Sequence, residues 1–495
     1  MMQPMDFRTP TDQDIHTAFE QGEAAVRALV YALATQLEVL VQHVTKQGEA
    51  LQALQARLAK NSRNSSKPPS SDGYGKVKRT ESLRQSGEKP NGGQPGHEGY
   101  TLRAVDDPAR IEIHAVEQCA HCQASLMGIE VAGYAERQVF DLPAIHIEVT
   151  AHRAEIKVCP ACGLASTGPF PDTVTQGVQY GPMVATWASY FTNYHHIPVE
   201  RTTEIFDDLV QHRVSEATVL KASEHLDTCI APATEAVKEQ LRAAAVLHVD
   251  ESGVRVEGKL HWLHVASTDT LTHYEVHAKR GHEAMEAAGI LGAFRGTAVH
   301  DHWAPYFRYT ACDHALCNAH HLRELHFIHK QYQQPWAKDM ADLLCAVKTA
   351  VDKAPAPAVS LVPSQLEAFA QQYDEIVKAG MVANPRTVPQ GLQRGRPKQP
   401  PPLNLAMRLH DCKALVLEFM YDFRVPFDNN QGERDIRMVK VKQKVSGGFR
   451  TLEGAQRFGR IRGYLSTARK HAKNVFEAIQ DALDGTPFIP SPATH

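Results

Sequence analysis

Apolar side chains recur at alternating spacings of three and four from Val30 through Leu33, Leu37, Leu40, Val44, Leu51 and Leu54 to Leu58, broken only by Gln47. That is a heptad seam within 20–60, and so narrow a stripe buries little unless another helix covers it. It predicts a leucine-zipper-like coiled coil that pairs with itself, with Gln47 fixing register. An amphipathic helix folded back on its own chain satisfies the same pattern. From 61 to 102 the periodicity stops in a Pro/Gly/Ser-rich, modestly basic stretch carrying Arg63, Lys67, Lys76, Lys78 and Arg79. Such a stretch cannot bury enough surface to offset its ordering entropy, so it reads as a flexible linker. Ile145, Ile147 and Val149 alternate with polar residues, as do Ile156 and Val158, which predicts strands within 103–168. Helical spacing returns over 169–235, where 197–221 reads as helix, tight turn, helix. Ser215 is placed to cap the second helix, with Val219 and Leu220 on its buried face. That helix is poor in base-reading side chains, so a DNA-binding helix-turn-helix and a merely packed helix pair both remain open.

Strand patterns begin at 244. The run 244–249 leads into Asp250, then come 254–257, a turn at Gly258, 261–266 and 271–277. A helix over 283–291 follows, then a strand over 297–300 ending in Asp301, an apolar stretch at 311–316 and a helix from near Asn318. Three hairpin-linked strands, helix, strand, helix is the order of an RNase H-like α/β core. Its first part would span 236–330 and its second 428–445. Between them, 331–427 reads as a helical insertion with a Pro/Gly/basic loop at 384–402, and 446–490 reads as a basic helical region.

With 495 residues the chain is too long for one compact core. It is 43% hydrophobic and 22% charged, and no apolar stretch is expected to approach the ~20 residues of a membrane helix. The first residues lack the basic and apolar regions of a secretory signal. These features predict a soluble protein in the reducing cytoplasm, where nine cysteines are not a disulfide framework. Cys119-x-x-Cys122 and Cys159-x-x-Cys162 offer four thiolates, which suits a closed, tetrahedral, structural Zn²⁺ site with a scaffolding role. The formal net charge of −3 conceals an asymmetry: from Arg434 to Lys473 there are twelve Lys/Arg against Asp435 and Glu453. This stretch is expected to line a DNA path, with Arg434, Arg437, Lys440, Lys442, Lys444 and Arg450 as phosphate contacts. A solvated charged face is the plainer alternative.

Asp250, Asp301 and Glu433 stand out because acidic oxygens drawn from distant segments onto a sheet and an adjacent helix can seat two divalent ions. Taken singly, each has a structural reading: the aspartates as turn residues, and Glu433 as a capping-box partner of Asn430. Glu251 neighbours Asp250 but is expected on the opposite face of the strand. His314, Cys317, His320 and His321 have a spacing compatible with zinc. The favoured reading instead buries Cys317 and sets His320 and Arg323 beside the acidic site, supporting its ligands. Trp303 and Tyr306 fit either base stacking or core packing.

The order of these features resembles the IS66 family of transposases over nearly the whole chain. The likeness rests on the heptads, Asn61-Ser-x-Asn-Ser-Ser-Lys-Pro-Pro-Ser-Ser-Asp72, Gly92-Gly-Gln-Pro-Gly-His97 and the Cys-x-x-Cys pairs. It continues through His248-Val-Asp-Glu-Ser252, Cys317-x-x-His320-x-x-Arg323, Asn429-Asn-x-x-Glu-Arg-x-Ile-Arg437 and Ser446-Gly-Gly-Phe449. The resemblance implies a DDE-type DNA transposase that binds the terminal inverted repeats of an insertion sequence. It implies cleavage and strand transfer with two Mg²⁺ ions, Mn²⁺ as a substitute, and Asp250, Asp301 and Glu433 as catalytic ligands. The implied partners are double-stranded DNA at element ends and target, a second copy or more of the chain, and accessory proteins of the same element, all at the nucleoid. The competing functions are a transposase-derived DNA-binding regulator without catalysis and a nuclease acting on RNA–DNA hybrids.

Overall fold

The computed structural model describes residues 9–59, 102–386 and 399–491. Nearly all of the expected linker, with its five basic residues and the two motifs within 61–97, and most of the 384–402 loop lie outside the described residues. The chain forms two units, one of residues 77–173 with 205–213 and the other of the remainder.

In the smaller unit, β1 (Ile156–Val158) and β2 (Ala165–Thr167) form an antiparallel hairpin in which Ile156 pairs with Thr167. The alternation at 145–149 does not become a strand: these residues have no partner strand, and Val149 is exposed. A period of two marks a strand only when a neighbour supplies the ladder and a core covers one face.

The larger unit opens with α1 (Asp12–Glu20), closed at its start by a reciprocal Thr11–Asp14 capping box, and α2 (Glu23–Ala59), one continuous helix. The seam side chains of α2 are exposed, Leu37 at 62% and Leu58 at 88%, and no second helix covers them among the described residues. Near its end α2 docks on its own chain, where Ala56 is buried and Gln52 Nε2 donates to the Gln331 carbonyl. The stretch Glu23–Ala56 is long and apolar enough, by length and hydropathy, to cross a membrane. This corrects the expectation from inspection, because small and apolar residues between the heptad positions raise the mean.

Next in the chain come α3 (Pro182–Ser189), a π-helical turn at Tyr190–Tyr194, α4 (Val199–Val210), whose residues from Ile205 onward are assigned to the smaller unit, α5 (Glu216–Cys229) and α6 (Ala231–Ala243). Five residues separate α4 from α5, and Ser215 Oγ accepts from Thr218 N, so the helix-turn-helix order and its cap are as expected. Val219 is buried, whereas Leu220 is 48% exposed, one step off the buried stripe of Val219, Ala222 and Leu226.

A five-stranded sheet organises the rest. Its strands are β3 (Val246–Val256), β4 (Lys259–Ser267), β5 (Thr272–His277), β6 (Thr297–His300) and β7 (Asp313–Leu316), in the order β5-β4-β3-β6-β7. β3, β4 and β5 are antiparallel neighbours, while β6 runs parallel to β3 and β7 parallel to β6. The β3–β4 turn is only Glu257-Gly258, both with positive φ, the left-handed pair a two-residue hairpin requires. After β5, α7 (His282–Ala288) carries the chain across to β6.

One face of the sheet (Leu247, Val249, Ala298) packs with Val237 and Leu241 of α6 and Met285 of α7. The other (Val254, Val256, Val265, Tyr274) is covered by Ile436 and Val439 of α13 (Asn430–Ser446) and by Ala455 and Phe458 of α14 (Leu452–Lys470). Between sheet and α13 the chain builds α8 (Asn318–Tyr332), α9 (Pro335–Asp352), α10 (Pro363–Ala383), α11 (Pro401–Asp411) and α12 (Lys413–Tyr421), with no strand among the described residues. Their core, centred on Trp336, Met340, Leu344, Tyr373 and Leu409, is continuous with Val299 and Leu316 of the sheet. A last helix, α15 (Val475–Leu483), joins α14 in a core with Leu226 and Ile230.

β6 approaches β3 closely because Gly296 precedes it. A Cβ there would lie 2.3 Å from the Ala245 carbonyl oxygen, a backbone atom unable to yield. Gly296→Ala is therefore expected to destabilise the protein by about 2–4 kcal/mol, read as a fall in thermal midpoint against wild type.

Candidate active site

β3 and β6 are parallel and in register, with Val246 beside Thr297 and His248 beside Val299. Carried two residues further, the same register sets Asp250 beside Asp301, just past the end of β6. Side chains alternate along a strand, so both aspartates share a face with Val254 and Val256. That is the face covered by α13, whose first turn carries Glu433.

Burial and like charge act together on Asp250. Its carboxyl is held well above the usual range by desolvation first, then by Glu251, Asp301 and Glu433. Asp301 is likewise raised, mainly by burial, although its Oδ1 accepts from Trp303 N at 2.9 Å. Glu433 takes a different set of partners. Arg323 Nη2 donates to its Oε1 at 3.0 Å, and His320 Nδ1 lies 3.9 Å from the same oxygen. Cys317 Sγ completes a trio whose ligand atoms all lie within 4.8 Å of one another. Among the described residues this is the one such group of three or more; Asp250, Asp301 and Glu433 do not form another. The capping-box reading of Glu433 fails, because Asn430 N donates to Asp428 instead.

Glu251 faces away from Asp250, as expected. It is 7% exposed, accepts from Arg280 Nη2 at 2.6 Å and Nε at 3.1 Å, and accepts from the Tyr306 hydroxyl at 2.5 Å. Burial pushes its carboxyl up to about 7, with Asp301 adding to the shift. The Arg280 guanidinium stacks between Trp262 and Trp303, at 4.8 and 4.2 Å from their rings. Tyr306 is thus a core residue and Trp303 is already stacked, so neither stands open to a base.

Asn429 joins these elements, a role that its place in a motif does not reveal. It is 2% exposed. His248 Nδ1 pairs with its Oδ1 at 2.8 Å, its Nδ2 donates to the Val249 carbonyl at 2.8 Å, and its backbone N–H donates to Cys317 Sγ at 3.1 Å. Cys317 is buried, as expected, and burial pushes its thiol up to about 12. His314 does not join it: Nε2 lies 3.1 Å from the Tyr309 carbonyl and Nδ1 3.0 Å from His300. His321 turns to Asn318. Of the His-x-x-Cys-x-x-His spacing, Cys317 and His320 therefore come together while His314 stays apart.

The basic stretch is less uniform than its composition. Arg434, Arg437, Lys444 and Arg450 are exposed. Lys440 donates to the Gly253 carbonyl at 2.7 Å, and Lys442 caps Gly447 at 3.1 Å above the Phe449 ring. Further on, Arg460 forms two bonds to Asp227, Arg462 is 3% exposed against Tyr194, and Lys470 pairs with Asp435 at 2.9 Å. The expectation that all twelve line one path is corrected, since several instead fasten α14 to its neighbours.

In the smaller unit each Cys-x-x-Cys closes a tight loop. Among the described residues the two pairs do not meet in a group of three or more ligand atoms, so the single four-thiolate site expected from the spacing is not assembled here. Gln123 N and Gly163 N donate to the carbonyls of Cys119 and Cys159, with Gln123 and Gly163 left-handed. Backbone N–H groups of the loops lower the Cys119 and Cys159 thiols, as a thiolate ligand requires. A model described as the zinc-finger binding domain of transposase IS66 matches residues 117–163, which include all four cysteines. A second, described as the transposase IS66 family, matches residues 177–457, more than half of the chain. The chain belongs to the IS66 transposase family. Residues 8–103 match a family described only as of unknown function, and no curated protein matches. The IS66 match takes in all five strands, Asp250, Asp301 and Glu433, together with the helices between α8 and α13.

Two outcomes follow. Asn429→Ala strands the Val249 carbonyl and the His248 ring in a buried site and should cost about 2–4 kcal/mol in denaturant unfolding, whereas Asn430→Ala should stay within about 0.5 kcal/mol. Glu251 has a folded pKa above its unfolded one, so its contribution is greatest below about pH 4.5 and is lost as pH rises through about 7. In chelator, the stability of Glu251→Gln relative to wild type should therefore rise across that window; a pH-independent difference would refute the assignment.

Proposed function

We propose that this IS66 family member is a DDE polynucleotidyl transferase with an RNase H-like core, which binds the terminal inverted repeats of an insertion sequence and catalyses DNA cleavage and strand transfer. The strand order, three antiparallel strands followed by two parallel ones, supports that core. The observation that carries the reading is the parallel register of β3 and β6, which when continued leads to Asp250 and Asp301, on the face covered by the helix bearing Glu433. A buried Asp250, its carboxyl raised by desolvation and by Glu251, Asp301 and Glu433, is poised for a multivalent cation, and all-oxygen donors suit Mg²⁺ or Mn²⁺. Asp250, Asp301 and Glu433 would hold two such ions, which activate a water or a DNA 3′-hydroxyl and neutralise the leaving oxygen.

The chain's own residues do the positioning. Asn429 fixes β3 against the start of α13, Arg323 aims the Glu433 carboxylate, and Trp303 N holds Asp301. Arg434, Arg437, Lys444 and Arg450 are free to meet phosphates, while Lys440 and Lys442 order the helix and turn that present them. The zinc finger and the α4–α5 pair are candidate contacts to duplex DNA. The exposed seam of α2 fits self-pairing into a dimer or higher oligomer, with accessory proteins of the element as further partners at the nucleoid.

One observation favours a regulator without catalysis: Glu433 is occupied by Arg323 and His320 rather than joined to the two aspartates. A single assay separates the readings. With duplexes carrying the element's ends, wild type should nick in Mg²⁺ or Mn²⁺, and Asp250→Ala should lose more than about 10²-fold in rate while retaining its gel shift. Binding without nicking by wild type would leave the regulator.

A further inference from the structure

Three donors of unlike chemistry meet beside the acidic face. Cys317 ends the segment after β7, His320 stands one turn later in α8, and Glu433 comes from the first turn of α13, 113 residues further along the chain. Their Sγ, ring nitrogen and carboxylate oxygen all lie within 4.8 Å of one another. His320 Nδ1 is buried without a hydrogen-bond partner and lies 3.9 Å from Glu433 Oε1. A buried ring nitrogen left unsatisfied is costly, and its orientation toward a carboxylate and a sulfur gives it a candidate occupant.

We propose that Cys317, His320 and Glu433 form a binding site for one thiophilic divalent cation of the Zn²⁺ class, distinct from the zinc finger. The donor set decides the class. Sulfur and imidazole favour Zn²⁺ or Co²⁺ over Mg²⁺, whose sites are built from oxygen. Three protein ligands leave a fourth tetrahedral position for water. The backbone N–H of Asn429 already points at Cys317 Sγ at 3.1 Å, an outer contact that orients a ligating thiolate and offsets its charge. Arg323 engages the same carboxylate oxygen from another side, so neutralisation of Glu433 is shared between a fixed guanidinium and the ion. His314, the residue that the spacing put forward, is replaced as ligand by an acid from a remote segment.

Where the proposed function also holds, an ion seated here engages the carboxylate that serves as the third acid of the catalytic set. Thiophilic metal would then compete with the use of Glu433 beside Asp250 and Asp301. Binding itself does not depend on that reading, so the test reads the metal directly.

The full chain is loaded with Co²⁺ as probe and dialysed. Bound metal is counted by elemental analysis, and thiolate ligation is read from the near-ultraviolet charge-transfer band. Wild type should hold two Co²⁺ per chain. The double variant Cys119→Ser, Cys122→Ser should hold one, with a weaker thiolate band. In that background Cys317→Ala should hold none and lose the band. His320→Gln, at a less buried position, should also fall below about one-tenth occupancy, which guards against a Cys317 variant that merely fails to fold. If the finger double variant binds no cobalt, or if both added substitutions leave its count and band unchanged, the site does not exist. Nicking assays do not bear on these outcomes, so failure here and failure of the catalytic reading are separate results.

Discussion

Asn429 holds together parts of the chain that lie far apart in sequence. Its amide accepts from His248 and donates to the carbonyl of Val249, while its own N–H reaches Cys317. A central strand, the start of α13 and the junction between β7 and α8 therefore meet at one buried residue. Each group is desolvated, so the bonds are strong when made and costly when broken. The orientation of α13, and with it the position of Glu433, depends on this junction. Apolar packing of Ile436 and Val439 supplies adhesion without direction, whereas the amide supplies the register.

Charge is spent inside this protein more than its composition suggests. Arg460 and Arg462, Lys470 with Asp435, and Arg280 with Glu251 are paired or stacked within the fold. Around the aspartates burial dominates: desolvation holds the carboxyls of Asp250 and Asp301 up, and Glu251, Asp301 and Glu433 add to the shift of Asp250. Arg434, Arg437, Lys444 and Arg450, by contrast, lie exposed on the helix that presents Glu433 and just after it.

Periodicity revealed most of the sheet. The strand end before Asp301, the Gly258 turn, the Ser215 cap and the helical character of 331–427 all have local causes, and local causes are visible in sequence. Asp250, expected at a strand end or turn, instead lies inside β3, which continues to Val256. The failures share another cause. Alternation at 145–149 could not reveal that no strand lies alongside, and Leu220 missed the buried stripe by one residue. The twelve basic residues could not be divided into exposed and internal sets without knowing which acids α14 meets. His314 was grouped with Cys317 by spacing, although contact is made by Glu433, and no local pattern encodes a partner more than a hundred residues away. Asn429 was visible only as part of a motif, since a buried amide and an exposed one look alike in a string of letters.

The separation of Leu316 in β7 from Ile436 in α13 has a consequence during synthesis. At roughly 5–20 residues per second, the ribosome needs roughly 6–24 s to extend the chain from one to the other. For that interval the emerged strands carry Val254, Val256, Val265 and Tyr274 with nothing yet made to cover them. Truncated products ending before α13 would keep that greasy surface permanently, inviting coaggregation or proteolysis, and would lack Glu433 altogether. Late arrival of one helix thus ties solubility of the nascent polypeptide to completion of its sheet cover.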